Sequence, residues 1–258
     1  MIRISAVIMT LNEEKNIVDC LESIGAVADE LLVVDSFSTD DTVALARQAG
    51  ARVLQHPFEG HVEQRAYSIA QAKYERVLVL DADERLSGEL RRSIAAVRQN
   101  WTQDCYWCKR LSYFGGRWIR HGAWYPDRKM RLFDRRKYKI GGINPHDRLE
   151  PAKGATEGTL EGDILHYTNE SLEDRARTVN AFSSIAARAY HERGKRGSIW
   201  RLLFKPFFRF FVEYFIKRGF LDGFYGFIIA RTSSYYVFLR EVKLLAIERG
   251  DEKPLKQK

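Results

Sequence analysis

With 258 residues, 45% of them hydrophobic, the chain can bury a full core; this excludes a disordered or fibrous protein and admits one domain or a domain with an appended helical part. Three cysteines are too few, and odd in number, for a disulfide framework. The net charge of +8 is uneven: Arg196 to Lys258 holds 13 Lys and Arg against 6 Asp and Glu, so the first 195 residues are near neutral and the basic excess belongs to the C-terminal quarter.

The chain opens with RISAVIMT, an apolar strand far too short to span a bilayer and followed directly by acids, which speaks against a signal peptide and predicts a site facing the cytoplasm. EEKNIVDCLESI then reads as a helix, ELLVVD as a buried strand and TDDTVALARQAG as a capped helix ending at Gly50. ARVLQ is a short strand, HVEQRAYSIAQAK a helix, ERVLVLD a strand, and SGELRRSIAAVRQ a helix that Ser87 can cap. Strand then helix, four times over, predicts an α/β fold on a parallel sheet covered on both faces, because parallel strands need crossovers. In such sheets ligands bind beyond the carboxyl ends of the strands.

Three of those ends are polar: Thr10-Leu11-Asn12-Glu13, then Asp35 to Asp40, then Asp81-Ala82-Asp83-Glu84. Asn12 could cap the first helix and Thr39 or Asp40 the second, but three polar ends on one sheet edge form a pocket. The acids after VLVL raise a question of their own, since clustered carboxylates repel and call for a positive partner.

From about Trp101 to Leu165 short strands and turns follow, with Gly115-Gly116 and Gly141-Gly142 as turn signals, and this reads as a mixed-sheet extension of the same domain. Cys105 and Cys108 form a C-x-x-C without a second pair at zinc-ligand spacing, so packing is the expected role. From Ser171 the pattern is helical to the end, Asn169 or Ser171 starting a long helix. Within the tail, residues 200 to 238 hold 15 of the chain's 32 aromatics. A helix over 200–217 would place Arg201, Lys205, Arg209 and Lys217 on one side and Leu203, Phe207, Phe210, Phe211 and Tyr214 on the other, with Pro206 as a kink or fresh start. That layout suits an anionic membrane surface met through residues 196–245, or packing on the body; nucleic acid is not expected, since no binding module is present.

TLNEE, VVDSFSTDDT and DADE, in this order and at these intervals, resemble the family 2 glycosyltransferases of the GT-A fold. WYPDRKMRLF, NPHDR, HYT and RGFLDGFYGF resemble the bacterial lipopolysaccharide inner-core β-glucosyltransferase branch. The resemblance implies a Rossmann-like mixed sheet over residues 1–168 (1–100 for the nucleotide-sugar, 101–168 on the acceptor side), which leaves the basic, aromatic region over 169–258 as the helical, membrane-associating part read from its own residues. It implies an inverting, metal-dependent transfer of a hexose, glucose from UDP-glucose above all, to a lipopolysaccharide-core or other lipid-linked acceptor at the inner face of the cytoplasmic membrane.

Residue by residue, Thr10, Asn12, Glu13 and Asp35, with Ser36 beside them, match positions that hold uracil and ribose in similar enzymes. Gln64 and Arg65 stand where relatives carry a nucleotide- or sugar-contacting group. Asp83 is the expected ligand of Mg²⁺ or Mn²⁺, which screens a departing diphosphate, with Asp81 and the intervening Ala82 on the sugar or ribose. The positive partner of the acids would then be a metal with its nucleotide. Asp147, an Asp where many relatives carry Glu, is the expected general base, with Glu84 next in line. Arg128, Lys129 and Arg131 could pair with the diphosphate, and His166 is a further histidine near the site. Transfer to polyprenyl phosphate or a peptide, and a non-catalytic membrane-docked protein that binds nucleotide-sugars, remain as alternatives. A nucleotidylyltransferase would need a glycine-rich N-terminal loop, which TLNEEKN lacks.

Overall fold

The computed structural model describes residues 1–143, 146–168 and 171–251, with the side chains of 142, 143, 146 and 147 outside the description. The chain forms two compact units: Met1–Ser112 with Asp127–Gly142 and His146–Thr168, and a second made chiefly of Tyr113–Pro126 and the helices after Asn169.

In the first unit β1 (Ile4–Thr10), α1 (Ile17–Ile24), β2 (Glu30–Asp35), α2 (Thr42–Gln48), β3 (Arg52–Gln55), α3 (His61–Ala70) and β4 (Arg76–Asp81) alternate as the periodicity predicts. The strands are continuous apolar runs because both faces are covered. Ile4, Ala6 and Ile8 pack against Ile17, Leu21 and Ile24 of α1, while Val7, Leu32, Val34, Val77 and Val79 pack against Ile69 of α3. β1, β2, β3 and β4 pair in parallel, and the register aligns Thr10 with Asp35, Met9 with Asp81 and Asp35 with Gln55. The polar strand ends therefore stand in one row.

After β4 come β5 (Glu84–Leu86), α4 (Gly88–Gln99), β6 (Cys105–Phe114), β7 (Arg117–Ile119), β8 (Asp127–Asp134), β9 (Tyr138–Ile143), β10 (His146–Pro151) and β11 (Glu157–Tyr167). The main sheet runs β3-β2-β1-β4-β8-β6-β11-β5, with β7 beside β6, and β9 pairs with β10 separately. β8 runs antiparallel to both β4 and β6, which makes the sheet mixed. Gly141-Gly142, expected at a turn, lies inside β9. A Cβ on Gly141 would come within 3.3 Å of the Glu150 carboxylate, so what this glycine permits is close approach by β10.

Cys105 and Cys108 join cores on opposite faces of the sheet, as a strand's period of two requires for positions three apart. Burial pushes their thiols up to about 11 and about 12, so the C-x-x-C is packing, not redox chemistry.

In the second unit α5 (Leu172–Glu192) begins at a capping box in which Ser171 and Asp174 each bond the other's backbone N–H. α6 (Ile199–Phe211) runs through Pro206 and passes into a π-helical turn, Val212–Ile216, and α7 (Gly223–Arg249) packs on both α5 and α6. Phe114, Ile119 and Ile229 form its small core with Trp124 and Tyr225. Asp222 ties the 113–126 segment to the helices, accepting from the backbone N–H of Arg120 (3.1 Å) and His121 (2.8 Å) and pairing with His121 Nδ1 at 3.0 Å.

The basic stripe expected on α6 is partly consumed. Arg201 pairs with Glu241 at 3.4 Å and Arg209 with Glu213, both acids buried. Phe210 and Tyr214, expected on the apolar outer face, stack on each other and meet Phe227 of α7 edge-on. No helix among the described residues is long and apolar enough to cross a membrane.

Ser87 caps α4, accepting from Leu90 N at 3.2 Å, and β11 presses on the same turn: Gly162 has φ +89°, and a Cβ there would lie 2.3 Å from Leu90 N. Gly162→Ala should therefore lose about 3 kcal/mol of stability through combined steric and backbone strain, read as a lowered denaturation midpoint in urea.

Candidate active site

Each strand end is shaped by its own backbone. Beyond Thr10 the chain turns through Asn12 in the left-handed region (φ 55°), which Asn tolerates better than most residues. Asn12 Oδ1 then accepts from Thr39 N at 2.8 Å while its N–H donates to Ser38 Oγ at 2.8 Å, so the first two polar loops are laced together. Asn12 is thus a loop clasp and not the cap of α1, a position taken by Asn16. Asp40 bonds Thr42 N at 3.1 Å at the start of α2.

Asp35 is fully buried and accepts from Ser38 N (3.0 Å), from Ser38 Oγ and from Gln55 Nε2 (3.1 Å). These bonds hold the loop that carries Ser36, and a nucleotide could reach Asp35 only by opening them. Gln64 bridges His56 Nδ1 (2.9 Å) and Ser36 Oγ (3.1 Å). Thr10 Oγ1 is buried without a partner among the described residues.

The acidic end of β4 has positive partners of its own. Arg131 on β8, itself buried, donates from Nη2 to Asp81 Oδ2 (2.9 Å) and Glu84 Oε1 (2.7 Å). Arg65 on α3 reaches Asp81 Oδ1 at 3.3 Å, and Arg110 on β6 reaches Glu84 Oε1 at 3.3 Å and Asp127 at 2.8 Å. Burial works to raise Asp81, but Arg131 and Arg65 outweigh it and hold the carboxyl well below the usual range. The arginines therefore meet, within the protein itself, the demand assigned above to a metal with its nucleotide. Arg131 serves as an internal anchor, Lys129 pairs with Asp127 (3.2 Å), and Arg128 donates to Thr159 (3.2 Å). Glu84 has no exposed surface and is spoken for on both oxygens, the second accepting from Asp81 N at 3.0 Å, which removes it as the reserve base. Ala82 is buried between them.

Asp83 is different. Among the described residues its one side-chain partner is His166, whose Nε2 lies 3.0 Å from Oδ2, with the His166 Nδ1 turned to Ser112 Oγ at 3.2 Å. The pair exists because β11 runs antiparallel to β5 and sets His166 opposite Glu84. Glu13 stands within electrostatic reach: burial raises its pKa, and Asp83 and Asp40 raise it further against the pull of Asn16 and His166. An acidic patch thus remains after the arginines are used. Asp83 and His166 offer one oxygen and one nitrogen donor, a partial set that suits a divalent cation taking its other ligands from phosphate and water. No group of three His, Cys, Asp or Glu among the described residues closes around a metal. Asp147 lies on β10, and its side chain is outside the described residues.

Residues 5–153 match the family model described as glycosyl transferase family 2. The chain belongs to this family. Over 266 residues it is 33% identical to an uncharacterized glycosyltransferase of Rickettsia felis (strain ATCC VR-1525 / URRWXCal2), covering 94% of this chain and 89% of that one. It is 30% identical over 248 residues to the lipopolysaccharide core biosynthesis glycosyltransferase LpsC of Rhizobium meliloti (strain 1021), covering 93% and 91%. Glucosyl-3-phosphoglycerate synthase from Mycobacterium tuberculosis, solved with Mn²⁺, UDP and phosphoglyceric acid, shares the fold at a TM-score of 0.51 and 20% identity, over 76% of this chain and 80% of that one. This family 2 glycosyltransferase therefore has the mixed-sheet architecture that the strand pattern and the resemblance predict.

Removing Arg131 would take the shorter of two arginine partners from Asp81 and from the fully buried Glu84, leaving each to a single guanidinium at 3.3 Å. Arg131→Met should cost about 3–5 kcal/mol, measured by denaturant unfolding, whereas Arg128→Met, at an exposed side chain, should stay within about 0.5 kcal/mol of the parent.

Proposed function

We propose that this glycosyltransferase moves a hexose from a UDP-sugar, with inversion at the anomeric carbon, to a lipopolysaccharide-core acceptor. The observation that carries the reading is Asp83: of the acids ending β4 and opening β5 it alone lacks an arginine partner, and it faces His166 at the edge where the strand ends line up. A donor with a diphosphate and a divalent cation supplies the charge that this edge lacks. The mycobacterial synthase, which shares the fold, is bound to Mn²⁺ and UDP, and LpsC, at 30% identity, is named for lipopolysaccharide core biosynthesis; both support the reading.

Asp83 and His166 would hold the cation. When bound, it would screen the negative charge that develops on the departing diphosphate. Asp81, kept ionised by Arg65 and Arg131, accepts hydrogen bonds from the sugar or ribose hydroxyls, and its two guanidinium partners fix its direction before substrate arrives. Thr10 offers its unpaired hydroxyl, and the Asn12–Thr39 clasp fixes the loops over the base. Glu13, whose carboxylate accepts from Asn16 Nδ2 at 2.8 Å, keeps its other oxygen for a donor hydroxyl. Asp147 takes the proton from the acceptor hydroxyl as its oxygen attacks the anomeric carbon.

Asp83→Asn and His166→Ala should fold like the parent but lose the Mn²⁺-dependent stabilisation by UDP-sugar, which for the parent is about 2.7 kcal/mol at ~100 times the dissociation constant. Thermal shift across a panel of sugar nucleotides measures this and identifies the donor. Parent-like stabilisation of both variants would remove the cation from this pair.

Asp147→Asn should slow transfer by roughly 10²–10⁴-fold while UDP-sugar affinity stays within a few fold, because the base acts on the acceptor. Transfer from radiolabelled UDP-sugar to lipopolysaccharide-core acceptor tests this; near-normal turnover would assign the base to another acid.

A further inference from the structure

The outer face of α6 is apolar and uncovered. Successive helical residues turn by about 100°, so Trp200, Leu203, Phe204, Phe207, Phe208 and Phe211 fall within an arc of roughly 140°. Trp200 and Phe207 are each 72% exposed and Phe208 66%, and α6 has no fully buried residue. The face continues over the π-helical turn to Phe220, Leu221 and Phe224, all exposed. Soluble monomers rarely show so many contiguous large apolar side chains to water.

Charge identifies what covers it. From Arg193 to Arg240 the chain has ten basic residues and two acidic ones, Glu213 and Asp222, both buried. Every exposed charge within this stretch is therefore positive. Arg201 and Arg209 are committed to Glu241 and Glu213, but Lys205, Lys217 and Arg218 are exposed and form no direct ion pair among the described residues, Lys217 acting on Glu213 only at longer range. A second copy meeting this face across a two-fold axis would bring like charges together. An anionic lipid surface would take the aromatics into its headgroup boundary and the lysines onto its phosphates.

We infer that the second unit is a monotopic anchor: α6 and the turn that follows it lie in the plane of an anionic bilayer, held chiefly by inserted aromatics, with Lys205, Lys217 and Arg218 as its electrostatic fringe. This differs from an electrostatic stripe of Arg201, Lys205, Arg209 and Lys217, because its two arginines neutralise buried acids and their loss would damage the unit. The inference rests on the second unit alone and is independent of the donor or the acceptor.

The full chain is tested by flotation with vesicles of phosphatidylcholine and phosphatidylglycerol in equal parts, and with phosphatidylcholine alone. The parent should float with the anionic vesicles, and Phe207→Glu with Phe208→Glu should lower partitioning by at least ~10-fold with unchanged circular dichroism. Lys205→Glu with Lys217→Glu should weaken binding to the anionic vesicles alone, as should added salt. On the parent, vesicles should shift tryptophan emission to the blue, and Trp200→Phe should abolish most of that shift; this reading holds even if the Glu variant misfolds. A parent that stays unbound, or a folded Phe207/Phe208 variant that floats like it, would overturn the anchor. So would a parent dimer that the same variant turns into a monomer in the absence of any vesicle binding, since a second copy would then be the cover.

Discussion

The guanidinium of Arg131 is the constraint on which the site depends. It sits with almost no access to water between Asp81 and Glu84, and Arg65 and Arg110 complete the charge balance from two other elements. Burying such groups costs several kcal/mol per ion unless each is paired and hydrogen-bonded. The pairing in turn fixes the short path from β4 into β5: Asp81 and Glu84 face inward to the arginines, and Asp83 between them is left to face His166. One buried cation thus fixes the directions of Asp81 and Glu84 and leaves Asp83 as the acid of this turn without an arginine.

That partition explains what the sequence could and could not reveal. The parallel half of the sheet was legible because strands covered on both faces are plain apolar runs separated by amphipathic helices, and because Ser87 and Ser171 cap where capping residues should. The row of polar strand ends was legible since parallel register brings Thr10, Asp35 and Asp81 to one edge. Arg65 and Arg131 were expected there as contacts of a ligand; their pairing with Asp81 was not legible, since they lie 16 and 50 positions from it and basic residues are ordinarily solvated. His166 gave only the signal of a lone histidine; its contact with Asp83 arises from an antiparallel pairing with β5 that no local pattern encodes.

The helical unit shows the same limit in another form. Helical periodicity correctly set Leu203, Phe207 and Phe211 on an exposed face, but Phe210 falls on the flank that meets Phe227, and the π-helical turn after Phe211 interrupts the period before Tyr214. The cations beside them divide by partner. Two are spent on Glu241 and Glu213, whose positions on α7 and in the π-helical turn are fixed by tertiary packing. A count of basic residues thus overstates the charge the surface presents.

The three thiols have a practical consequence. Cys20, Cys105 and Cys108 are all buried, and burial raises the pKa of each, so none is available as a thiolate at neutral pH. The native chain should be silent to maleimides and to mild oxidants. A single cysteine introduced on the surface could then carry a fluorophore or spin label without first removing the natural ones, and the folded core would keep its native side chains while the probe reports from that one position.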